Sequence, residues 1–138
     1  MPKSSYGKQL MLNYLFKIGS AITRPTSLYL ALFQTSPTDS NNGTEVNYEN
    51  YIRQQISFGE ISTTSGTPGS SSIRNASDIT FAAVPIGVVA GLTVGHVGIM
   101  TAESGGNLLY YGSLSASYAL NAGVQPIVKT GALTISET

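Results

Sequence analysis

Apolar positions near the N-terminus recur with helical spacing. Leu10, Tyr14 and Ile18 stand four apart, with Met11 and Leu15 beside them. Ser4 or Ser5 can cap the start, and Gly19 stands where a helix end favours a left-handed residue. The pattern predicts a helix over about 6–18. Leu12 and Phe16 widen its apolar face, so it should pack on its own domain and also touch something else. The pattern then changes. Ser27-Leu28-Tyr29-Leu30-Ala31-Leu32-Phe33 is nearly continuously apolar between Pro25 and Ser36-Pro37, which suits a strand buried on both faces. Tyr51 to Ile61 alternates, which predicts a half-buried strand directed inward at Ile56 and Phe58.

The second half is strand punctuated by turns. Ile73 and Ile79/Phe81 mark short strands. Leu92 to Met100 predicts another, with Val97 and Ile99 on one face. Ser104-Gly105-Gly106-Asn107 is a hairpin turn, after which Leu108 to Leu114 returns. Asn121-Ala122-Gly123 turns again before Gln125–Val128 and Ala132–Ile135. Thr35 to Asn47 reads as a long loop of the kind that carries function. Ser62 to Ser72, all Ser, Thr, Gly and one Pro, reads as a loop or mobile tip. The sum is about eight strands at roughly ten-residue spacing, with one N-terminal α-helix. It predicts a mainly β fold over residues 1–138, a single antiparallel β-sandwich or jelly-roll domain with an N-terminal arm.

Composition sharpens this picture. Only 10% of the 138 residues are charged, seven basic against seven acidic, where an ordinary soluble domain carries about 25%. A balanced, sparse charge set excludes a nucleic-acid binder that works through a basic surplus. The 18 Ser and 14 Thr leave a surface of hydroxyls, poorly protected against association. Either those hydroxyls keep it soluble, or other subunits cover it. There is no cysteine, so neither a disulfide framework nor a thiol nucleophile is available. No secretory signal is expected at Met1-Pro2-Lys3, and no run reaches the ~18 apolar residues of a membrane helix.

Catalytic candidates are few. His96 is the one histidine and lies mid-strand, where a bond to neighbouring backbone is the expected role. Asp39-Ser40-Asn41-Asn42-Gly43-Thr44-Glu45 resembles a calcium loop only faintly, since its later acidic positions are missing. No cofactor, metal or small-molecule substrate is expected. The eight tyrosines are more informative, because Tyr combines apolar area with a polar tip and suits interfaces. Of the adjacent Tyr110 and Tyr111, one should face inward and one outward.

Three stretches carry a resemblance that runs over nearly the whole chain, from Tyr6 to Ile135. Ser27–Phe33 followed by Thr35-Ser36-Pro37-Thr38-Asp39 and Gly43-Thr44-Glu45-Val46 is similar to a family of small tailed-bacteriophage structural proteins. His96-Val97-Gly98-Ile99-Met100 with Gly105–Gly112, and the closing Gly131–Ile135, fit the same family. This chain departs from its pattern at Asn47-Tyr48-Glu49-Asn50, a bulkier approach to Tyr51-Ile52-Arg53-Gln54. Some members resemble capsid cement proteins, and others are labelled tail-fibre proteins. The resemblance implies a non-enzymatic virion protein on the outer capsid surface. It would staple the major capsid protein, as a dimer or trimer, and bind neither nucleic acid nor membrane. The alternative is a tail or receptor-binding adaptor module. Expected contacts are Tyr6, Leu10, Tyr14, Asp39, Tyr48, Tyr51, Arg53, Tyr110 and Tyr111.

Overall fold

A computed structural model describes residues 1–17, 19, 23–87 and 91–137. It is mainly β. Among the described residues, one helix, α1 (Ser5–Phe16), precedes nine strands: β1 (Tyr29–Phe33), β2 (Gln54–Gln55), β3 (Ser62–Thr64), β4 (Ser70–Arg74), β5 (Ile79–Thr80), β6 (Thr93–Met100), β7 (Leu108–Ala119), β8 (Ile127–Val128) and β9 (Thr134–Glu137). Ile18, expected in the helix, and Val88–Ala90, expected among strands and turns, lie outside the described residues.

All pairings between these strands are antiparallel, in three sheets ordered β2-β1-β6-β7, β3-β4-β9 and β5-β8. The four-stranded sheet is the frame. Its β1 is buried on both faces, as its unbroken apolar run requires. Leu30 and Leu32 join Ile56, Phe81, Val97, Ile99 and Leu120 in the main core. Ala31 and Phe33 point the other way and meet Met100 and Leu108 in a second, smaller cluster. The main core continues to Leu133 and Ile135 beside the three-stranded sheet, in a sandwich-like arrangement.

The hairpin between β6 and β7 follows the Gly-Gly signal, with Gly105 at φ 65° and Gly106 at φ 71°. Gly98 on β6 has a different reason. A Cβ there would lie 2.8 Å from Leu108 Cδ1 and 2.9 Å from Phe33 Cε2. The second cluster fills the space a side chain would need.

Two expectations change. Ser62–Ser72 is an ordered hairpin, with β3 and β4 in register at Ser62↔Ser72 and Thr64↔Ser70. Thr63 Oγ1 and Ser71 Oγ stand 3.1 Å apart across it. Its β3 strand is exposed at every position, so no apolar alternation announces it. The strand expected over Tyr51–Ile61 shrinks to β2, because the chain changes partners. Ile56 N–H donates to Leu28 O on the β1 side, then Phe58 bridges Asn75 near β4. Ile56 is buried and Phe58 half-buried, so the inward pattern survives the switch.

Gly98→Ala forces a methyl between Phe33 and Leu108. It should cost about 1–3 kcal/mol as overpacking. Urea unfolding checks this through a lowered midpoint at unchanged slope.

Candidate interaction surface

The N-terminal arm attaches to the open edge of β7. Lys3 pairs with Tyr110, Tyr111 N–H donates to Pro2 O at 3.1 Å, and Ser4 N–H donates to Leu109 O at 2.8 Å. Ser4 then does two jobs while 1% exposed. Its Oγ donates to Leu108 O and accepts the Gly7 N–H at 3.0 Å, which caps α1. Gly7 lies flush on β7, where a Cβ would sit 2.6 Å from Leu109 O.

Asp39, in the loop after β1, reinforces this joint. Its backbone oxygen accepts Ser5 N–H at 2.9 Å, and its carboxylate accepts Lys8 Nζ and Tyr111 OH. Hydrogen bonds from Lys8, then Tyr111, hold the Asp39 carboxyl below its ordinary value of 3.8. The same bond pushes the Tyr111 hydroxyl up, because its proton is shared with an anion.

The loop itself is built, not slack. Gly43 packs where a Cβ would lie 2.6 Å from Pro37 Cα, and Thr38 Oγ1 donates to Asn42 Oδ1 at 2.6 Å.

A second network joins loop, strand and turn. Arg53 grips Glu45 with a fork, Nε to Oε1 and Nη2 to Oε2, both at 2.8 Å. Its Nη1 donates to Ala102 O at 3.0 Å and Gly105 O at 2.7 Å, which ties down the β6–β7 turn. Tyr51 OH donates to Glu45 Oε1 at 2.9 Å and accepts Leu32 N–H at 3.0 Å. Its ring stacks on Phe81 at 6.0 Å, and burial pushes its hydroxyl well above the usual tyrosine range. Tyr48 is a core residue, 6% exposed, with its OH on Ala82 O.

Tyr110 and Tyr111 do point to opposite faces, but neither is fully outward. Each packs on a different core cluster, because both faces of this sheet are covered there. Tyr110 OH donates to Glu137 Oε1 at 2.6 Å, and Lys3 Nζ donates to Glu137 Oε2 at 2.9 Å. His96 Nδ1 lies 3.3 Å from Ser113 Oγ, a side chain on the neighbouring strand rather than the backbone expected. Among the described residues, no group of three or more His, Cys, Asp or Glu side chains stands together to hold a metal.

The residues expected at contacts therefore divide. Tyr48, Tyr51, Arg53, Asp39, Tyr110 and Tyr111 make internal bonds. Tyr6, Leu10 and Tyr14 lie on α1, where several large apolar side chains are exposed. Gly7 is buried, Leu10 half-buried, and Tyr14 is 63% exposed, so burial falls along the helix face turned to the body. Leu12 is 60% exposed, Leu15 58% and Phe16 71%. Leu12, Leu15 and Phe16, with Met11, were not named singly among the expected contacts, but they belong to the helix whose wide apolar surface was expected to touch something else.

Residues 2–136 match the model of a family described as Podophage GP4 fiber I protein gp80. The chain belongs to this family. It is thus a phage structural protein, as the resemblance implied at that level. No curated protein matches the chain. In this fiber-family member, the match runs from the arm through α1 and β1–β8 into β9.

The Asp39 joint carries a pH signature. A carboxyl whose folded pKa is depressed stabilises the fold above its unfolded pKa, and that gain is lost as pH falls through the folded value. Wild-type melting temperature should hold down to about pH 4 and then fall. Asp39→Asn should melt lower at neutral pH and fall less steeply on acidification. Asp78, held low by Thr130, and Glu137, held low by Tyr110 and Lys3 despite partial burial, leave a residual slope. An unchanged acid slope in Asp39→Asn would remove Asp39 from this role.

Proposed function

We propose that the chain is a fibre or adaptor module of the virion, and that it works by protein–protein burial rather than by catalysis. The match to a fiber family over residues 2–136 carries this reading. Two features of the chain support it. First, four of its seven carboxylates are committed to holding the fold: Asp39 on Lys8 and Tyr111, Glu45 on Arg53 and Tyr51, Asp78 on Thr130 and Lys129, and Glu137 on Lys3 and Tyr110. Acid–base chemistry wants such groups free and aimed at a substrate. Second, the apolar surface on α1 suits a stable protein contact, which buries such patches.

A capsid-cement role, with the major capsid protein as partner, rests on the same physical basis. The fiber description moves our reading to the second of the two virion roles. Electron microscopy of intact particles, with gold-labelled antibody to this protein, separates them. We expect label on fibres or at the tail, in a handful to dozens of copies. Label spread over the whole head shell, in hundreds of copies, would replace the fibre reading with cement.

A further inference from the structure

We propose that the open flank between the two larger sheets is a binding cleft for one alkyl chain with an anionic head, a ligand of the fatty-acid class. The cleft has two lobes, of about 480 and 270 Å³, and Leu28, Phe58, Ile73 and Tyr110 line both. The larger lobe alone falls within the ~300–1,000 Å³ usual for small-molecule sites. All four shared residues are half-buried and pack on the main core. Buried Ile56 lines the larger lobe and buried Ile135 the smaller. The core is therefore unfinished on this flank, and an apolar guest there would complete it.

The walls decide what kind of guest fits. Leu28 O already accepts Ile56 N–H, and beside Phe58 the Gly59 N–H donates to Arg74 O. β4 is paired on both sides, and the arm covers the β7 edge from Leu109 to Tyr111. A peptide in the cleft would bring N–H and C=O groups that these walls leave unpaired, and burying them dry is costly. A run of methylenes brings none.

The two ends differ in charge. Arg24 lines the larger lobe and not the smaller, together with Thr26, Ser27 and Gln55. Among the described residues Arg24 makes no ion pair. Glu137 lines the smaller lobe, but Lys3 and Tyr110 already hold its two carboxylate oxygens. The charge left to a ligand is thus positive and sits at one end. A carboxylate head belongs at Arg24, with its tail directed past Ile73 toward Ile135. The source is a free chain rather than a bilayer. Membrane-surface helices carry a basic polar face, whereas α1, which borders the cleft, carries only Lys8, and Asp39 already pairs with it.

Calorimetric titration of the full chain with sodium decanoate, kept below micelle formation, tests this independently of where the protein sits on the particle. We expect saturable binding of one alkyl chain per protein. Octanoate should bind roughly fifteenfold more weakly, since each buried methylene is worth about fourfold. Decanol should bind several-fold more weakly than decanoate, and Arg24→Gln should erase that preference. Arg24 is exposed, so this variant leaves the core intact. Ser71→Phe places a ring beside Ile73, two residues along the same face of β4, and should abolish binding with unchanged circular dichroism. Absence of saturable binding, indifference to chain length, or undiminished binding by folded Ser71→Phe overturns the proposal. Equal binding of decanol, unaltered by Arg24→Gln, overturns the placement of the head. Flotation with phosphatidylglycerol vesicles in place of decanoate binding also overturns it, and would assign the flank to a bilayer.

Discussion

The contact of Ser4 and Gly7 with two successive carbonyls of β7 fixes the rest of the N-terminal third. A strand edge leaves N–H and C=O groups unpaired, and each buried one demands a partner. Pro2, Lys3 and Ser4 supply those partners to Leu109, Tyr110 and Tyr111. Ser4 converts the arm into a helix at the point where pairing stops, because the same hydroxyl serves Leu108 O and the Gly7 N–H. Only a residue without Cβ can then follow so close to Leu109 O. The helix is thus placed by two small residues rather than by its large ones. That leaves Met11, Leu12, Leu15 and Phe16 unspent on the chain's own core.

The charges show the same economy. Glu45 and Arg53 join the loop after β1, the β2 approach and the β6–β7 turn, positions far apart in sequence. Arg suits this because its planar fork satisfies a carboxylate while a further N–H reaches backbone carbonyls. Asp39 does likewise for helix, loop and β7. Among the described residues no buried polar side-chain atom lacks a partner. A chain with few charges has used several of them to lock loops to the frame, and the loops gain order without a large apolar payload.

Legibility in the sequence followed apolar contrast. β1 was readable from its unbroken apolar run, and the β6–β7 hairpin from Gly105-Gly106 between strand patterns. β3 was not, since Ser and Thr point to solvent on both its faces. The Tyr51–Ile61 segment kept its inward positions but hid a change of partner, because alternation encodes the facing of side chains and not the identity of the neighbouring strand. For the tyrosines, residue type suggested contact, but it could not say whether the contact was internal. Tyr48, Tyr51 and Tyr111 found carbonyl, amide and carboxylate groups within their own chain.

The helix shows the opposite case. Its apolar residues exceeded what one face can bury, and that surplus was visible before any fold was known. A helix gains most of its stability from tertiary packing, and twelve residues alone are marginal in water. α1 has only its first two turns against β7, with Gly7 and Leu10 doing the packing. Its last turn is held by intrahelical bonds ending at Lys17 N–H to Asn13 O, while Tyr14, Leu15 and Phe16 face solvent. The physical demand for a partner is therefore greatest at the C-terminal turn. A second surface there would bury the side chains and stabilise the helix in one step. Low charge elsewhere on the molecule then matters less as a cause of association than α1, which concentrates the apolar surface at one place.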